Sequence, residues 1–165
     1  RTDAEYIISN EPKPLGTGGA IKFAENHFIY SDHVLILNGD SRIIFDFPSL
    51  FEFHKNCRAD MSILLSITTK GTDYGNVVLN GENRITTFSE KPSEINSGCV
   101  NAGVYVINRS LLCFFNPEKQ CSLEKDYLPS GIQVHRIFGL LTDKPVHDIG
   151  TPERYINSQT ILLEE

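Results

Sequence analysis

No stretch of this 165-residue sequence is apolar for long enough to cross a bilayer, and residue 1 does not open a signal peptide. Positive charge is scarce. Fifteen Lys and Arg stand against 21 Asp and Glu, and a net charge of −6 gives no general attraction for nucleic acid or an anionic membrane. Any phosphate must be held by a few local cations, by backbone N–H groups or through a metal ion. Cys57, Cys99, Cys113 and Cys121 show no Cys-x-x-Cys spacing, which argues against a zinc site. With no secretory signal they read as reduced thiols in a cytoplasmic protein. The third glycine of a dinucleotide fingerprint is also missing, because Ile21 stands where Gly-x-Gly-x-x-Gly requires it. A nicotinamide oxidoreductase is disfavoured.

What is present is ordinary for a globular domain: 40% apolar and 22% charged residues, in a chain long enough to bury roughly two-thirds of its unfolded surface. The organising stretch is His33-Val34-Leu35-Ile36-Leu37-Asn38-Gly39-Asp40. Its aliphatic run predicts a strand apolar on both faces, in the middle of a covered sheet. Asn-Gly-Asp then breaks the strand and leaves the Asp40 carboxylate at its carboxyl end, where open α/β sheets gather ligands.

Before it, residues 4–9 read as a strand, and Pro12 and Pro14 rule out regular structure just after. Gly16-Thr17-Gly18-Gly19 then opens an amphipathic helix through Ile21, Ala24 and Phe28, its glycines allowing close approach of an anion or a flat base. A short helix follows at residues 47–55 and a buried strand at 60–69, so strand and helix alternate. That alternation predicts a Rossmann-like α/β fold: a mostly parallel sheet with helices on both faces. Asn80-Gly81, between two apolar runs, inserts a β-hairpin whose second strand ends before Pro92. Residues 101–107 form another strand and 109–115 a short helix. Ser122 caps a helix stopped by Pro129, and residues 134–141 form a strand. Thr151 and Pro152 start a final helix, docked through Tyr155, Ile156, Leu162 and Leu163. His147 reads as a packed or surface histidine.

Asp40 and Asp148 thus both fall at strand ends beside a turn. Two carboxylates meeting at one point suit Mg²⁺, which prefers oxygen ligands and leaves room for substrate phosphates. Such an ion would let an acidic protein handle phosphates.

Taken together, Pro14-Leu15-Gly16-Thr17-Gly18-Gly19-Ala20, Leu37-Asn38-Gly39-Asp40, Tyr74-Gly75, Glu90-Lys91-Pro92, Asn101-Ala102-Gly103 and Asp148-Ile149-Gly150-Thr151-Pro152-Glu153 resemble the sugar nucleotidyltransferase family, in family order across nearly the whole chain. These enzymes join a sugar 1-phosphate to a nucleoside triphosphate and release pyrophosphate. The Leu-Gly-Thr-Gly-Gly and Asp-Ile-Gly-Thr-Pro-Glu forms are most similar to the branch that transfers GMP to a heptose or mannose 1-phosphate. The resemblance implies that Asp40 and Asp148 hold catalytic Mg²⁺. It also implies that Leu15, Gly16 and Thr17 line the base pocket, that Tyr74, Gly75, Glu90, Asn101 and Gly103 face the sugar, and that Lys91 meets its phosphate. Glu11 is a further candidate, since a carboxylate suits the donor edge of guanine.

The family's opening Gly-Gly-x-Gly-Thr-Arg loop and its lysine-proline element have no match in residues 1–165. By analogy, roughly sixty family residues precede residue 1. On this reading the chain is the C-terminal portion of one nucleotidyltransferase domain, with negligible transferase activity alone. The rival readings are a non-catalytic sugar-nucleotide binding or regulatory module and a metal-dependent glycosyltransferase. Asp40-Ser41-Arg42 does not meet the Asp-x-Asp of the latter. A homo-oligomer is left open.

Overall fold

The computed structural model describes residues 5–67, 76–89, 98–116 and 119–162, with the side chains of 76, 157 and 160–162 left aside. The strands are β1 (His33–Leu37), β2 (Ser41–Arg42), β3 (Met61–Ile67), β4 (Asn76–Leu79), β5 (Ile85–Ser89), β6 (Cys99–Asn108), β7 (Ile137–Thr142) and β8 (His147–Asp148). The helices are α1 (Gly16–Phe23), α2 (Phe47–Asn56), α3 (Leu128–Val134) and α4 (Pro152–Leu162). The main sheet runs β5-β4-β6-β3-β7 with β1 also paired to β6, and β2 and β8 form a separate ribbon.

β6 is the axis of the sheet. Its side chains alternate between two cores. Tyr105 and Ile107 join Ile63, Leu65, Leu123 and Leu128 on one face, with Ile21 of α1 packed against them. Ala102, Val104 and Val106 join Leu64 and Leu50 of α2 on the other. Helices therefore cover both faces, and the α/β class holds.

The expected direction of pairing does not. β3 and β7 are parallel, but β6 is antiparallel to β1, β3 and β4, and β4 is antiparallel to β5. The strand–helix alternation does set β1, β3 and β7 in one direction. β6, reached through the hairpin, enters between β1 and β3 in the opposite sense, so the sheet is mixed rather than mostly parallel.

Other expectations shift for local reasons. β1 is not a doubly covered central strand: among the described residues it pairs only with β6, and Leu35 and Leu37 are 39% and 55% exposed. Residues 5–11 form no strand, because no described strand lies alongside to pair with them, and Ile8 is 92% exposed. The glycines sit inside α1 instead of ahead of it. Pro129 does not end a helix. It sits in the first turn of α3, directly after a π-helical segment, Leu123–Tyr127. Tyr155 and Ile156 are exposed and do not dock α4, while Thr151 does cap it, accepting from Arg154 N at 3.3 Å. The hairpin forms, but Asn83, at φ +62°, takes the left-handed position, and the Asn80 side chain braces the turn by accepting from Glu82 N and Arg84 N. No helix among the described residues is long and apolar enough to cross a membrane.

Candidate active site

The carboxyl end of β1 is pinned to β6 by one backbone bond, Asn38 N donating to Gly103 O at 2.8 Å. Gly103 has φ +71°, and a Cβ there would stand 2.9 Å from the Asn38 side chain. Both conditions require glycine. Beyond this joint the chain forms the two-rung ribbon of β2 and β8, in which Ser41 faces Asp148 and Arg42 faces His147. Ile149 N donates to Asp40 O at 2.8 Å, which closes the ribbon on the acid.

The ribbon brings Asp40 and Asp148 together across the 108 positions that separate them in sequence (148 − 40). A Cβ placed on Gly150 would lie 3.0 Å from Asp148 Oδ1 and 3.2 Å from Asp40 Oδ2. The absent side chain keeps a small volume open that both carboxylates face. Gly150 N donates to Asp148 Oδ1 at 2.6 Å, and Arg154 Nη1 pairs with Asp148 Oδ2 at 2.5 Å. Among the described residues no group of three or more His, Cys, Asp or Glu converges. The protein thus offers two hard oxygen ligands and an adjoining space. That suits Mg²⁺, whose remaining positions go to water and phosphate oxygens.

Asp40 also ends a cleft of about 490 Å³ lined by Thr17, Ala20 and Ile21 of α1, Ile36 and Leu37 of β1, and Asn38 and Gly39. Its size and mostly apolar wall suit a flat small-molecule group. The loop entering α1 is clamped from below: Gly18 N and Gly19 N donate to Cys121 O at 2.9 and 3.1 Å, and Cys121 N donates to Leu15 O at 2.8 Å. Those two glycine N–H groups are therefore committed to the protein, not aimed at an anion. Gly16, at φ +75°, has no room for a Cβ, which would lie 2.6 Å from Cys121 O.

Behind the cleft lies a polar chain. Glu124, in the π-helical segment, accepts from Thr17 Oγ1 at 2.8 Å and Ser122 Oγ at 3.0 Å through Oε2, and from the Tyr105 hydroxyl at 2.9 Å through Oε1. Asn101 Nδ2 donates to the Tyr105 oxygen at 2.6 Å, and Gly103 N donates to Asn101 Oδ1 at 3.1 Å. Burial, with the neighbouring Glu124 carboxylate, pushes the Tyr105 phenol well above its ordinary range, so it stays a neutral donor.

Of the residues singled out in the sequence, Asp40 and Asp148 meet, Thr17 lines the cleft, and Gly16 shapes its rim. Asn101 and Gly103 stand on β6 beside the Asn38 joint. Leu15 is buried, and its N–H and C=O are bonded to Glu11 Oε2 and Cys121 N. Glu11 accepts from Leu15 N at 2.9 Å through Oε2, a role within the loop itself. Tyr74, Gly75, Glu90 and Lys91 lie outside the described residues. Sequence reasoning missed Glu124, Tyr105 and Arg154. Only contacts 107, 19 and 6 positions apart give them meaning.

A mixed sheet that carries two converging carboxylates beside an apolar cleft is an α/β architecture suited to a nucleotide and a divalent cation. The family model described as nucleotidyl transferase matches residues 2–165, and the chain belongs to that family. It is 32% identical over 154 residues to D-glycero-alpha-D-manno-heptose 1-phosphate guanylyltransferase of Aneurinibacillus thermoaerophilus, covering 93% of this chain and 66% of the relative. It is 30% identical over 160 residues to mannose-1-phosphate guanylyltransferase catalytic subunit beta of Drosophila pseudoobscura pseudoobscura, covering 96% and 43%. The structure of HddC from Yersinia pseudotuberculosis complexed with GMP-PN superposes with a TM-score of 0.77 at 26% identity, over 92% of this chain and 64% of that one. The chain thus spans between about two-fifths and two-thirds of the length of these relatives.

Proposed function

We propose that the protein is a sugar-1-phosphate guanylyltransferase, joining GTP to a heptose- or mannose-type sugar 1-phosphate to give a GDP-sugar and pyrophosphate. One sugar-phosphate oxygen attacks the α-phosphorus, the bond from that phosphorus to the bridging oxygen breaks, and pyrophosphate leaves with the electron pair. The observation that carries this reading is the convergence of Asp40 and Asp148 on the space at Gly150, at the end of the cleft. The family match and the names of the relatives support it.

Asp40 and Asp148 would hold Mg²⁺, which when bound neutralises charge developing on phosphate oxygens. The cleft wall and the loop of Leu15, Gly16 and Thr17 would line the pocket for the base. Glu11 would offer guanine its second carboxylate oxygen. Asn101, Gly103, Tyr74, Gly75 and Glu90 would bind the sugar, and Lys91 its phosphate. The free state of all four cysteines fits a reducing, cytoplasmic setting.

The test is calorimetric titration of the full-length protein with GTP, CTP, UTP and dTTP in magnesium. GTP should bind with the greatest affinity. Binding of CTP or dTTP without GTP would remove guanine from the reading. Asp40→Asn should cut pyrophosphate release by at least about 100-fold without unfolding the protein. Retained turnover would take Asp40 out of the mechanism.

A further inference from the structure

We infer that Glu124 is a positioning residue whose carboxylate ties the Thr17 loop of the nucleotide cleft to the Asn101 amide on β6, so that the two substrate subsites are ordered together. The inference rests on the functional reading above, and deepens it.

The hydrogen-bond polarity is fixed from end to end. A carboxylate only accepts, so Thr17, Ser122 and Tyr105 must all donate into Glu124. Because Tyr105 spends its proton there, its oxygen accepts from Asn101 Nδ2. Gly103 N–H holds Asn101 Oδ1. One Asn101 N–H remains outside this chain, so a ligand approaching that nitrogen meets a donor. On the other side, Thr17 Oγ1 accepts from Leu123 N at 2.8 Å, which leaves its hydroxyl proton for Glu124. A glutamine at position 124 would carry an acceptor on one arm and a donor on the other. It could satisfy the Tyr105 arm or the Thr17 arm with the native polarity, not both. The carboxylate sits in a π-helical turn, a geometry that concentrates at functional sites because it redirects a side chain that an α-helix would point elsewhere.

The test uses the full-length protein with GTP and mannose 1-phosphate as probes. Thr17→Val should raise the KM for GTP about fivefold and, through Glu124, the KM for mannose 1-phosphate by a smaller factor, and Tyr105→Phe should do the reverse. Glu124→Gln should raise both. A loss of thermal stability with both KM values unchanged would reduce Glu124 to a structural role and overturn the inference. A second readout needs no turnover: the side-chain amide resonances of Asn101. Thr17→Val should shift them in the otherwise native protein and leave them unmoved in a Glu124→Gln background. A shift of equal size in both backgrounds would overturn the coupling. Absence of any GDP-sugar from the wild-type protein would sink the functional reading instead, and the resonances would still decide the coupling.

Discussion

Two polar clusters flank β6 and are built on opposite plans. At one end, His54 is 1% exposed on α2, its Nδ1 2.9 Å from Ser62 Oγ and its Nε2 3.1 Å from Asn108 Oδ1. Asn108 Nδ2 donates to Ala59 O at 3.0 Å, which turns its oxygen towards the imidazole and makes Nε2 the protonated nitrogen. The cluster is neutral and both ring nitrogens have partners. At the other end, Glu124 gathers three hydroxyl donors and reaches the exposed Thr17 at the cleft. That cluster is charged and open to solvent at one side. A closed neutral network fixes how layers stack. A charged one that ends at a cleft is placed to sense a ligand.

The sharpest way to break this contrast is His54→Ala. It leaves Ser62 and Asn108 facing a cavity and should cost about 2–4 kcal/mol, read as a lower urea midpoint at constant slope. GTP affinity should stay at the wild-type value, and a parallel loss would mean that the two clusters are one. Next is Gly103→Ala, which strains a left-handed residue and presses on Asn38. It should cost about 1–3 kcal/mol and, unlike His54→Ala, also weaken GTP binding. Thr151→Ala, at a helix cap belonging to neither cluster, should cost about 1 kcal/mol or less and serves as the baseline. The gentlest perturbation is pH. Burial is the main reason that the His54 pKa lies below its ordinary 6.5. The unfolded chain therefore takes up the proton first. The stability from a neutral His54 is complete above about pH 6.5 and drains as pH falls towards the lowered folded pKa. His54→Gln should flatten that part of the stability profile, and an unchanged profile would show that the ring is not held neutral.

Much of this could be read from local pattern. The aliphatic run at Val34–Leu37, the Asn-Gly hairpin and Thr151-Pro152 each carry their structure within a few residues, so each element formed where expected. The meeting of Asp40 and Asp148 was also legible, because both acids were expected at strand ends. Strand direction was not. β6 pairs with β1, β3 and β4 through residues tens of positions away, and nothing inside Asn101–Ile107 says which way its neighbours run. The Gly-rich loop misled for a similar reason, since its N–H groups are claimed by Cys121 O, a main-chain atom with no sequence signature. Glu124 looked like any helix-surface acid.

The two-rung ribbon of β2 and β8 has a reading frame. Side chains alternate along it, so a slip of one rung would turn Asp148 to the reverse face, away from Asp40, while the six-stranded sheet stood untouched. Loop lengths on either arm can therefore drift freely only where the slack is absorbed before Ser41 or before His147. An odd insertion inside the ladder would yield a protein that folds normally but no longer brings Asp40 and Asp148 to one point.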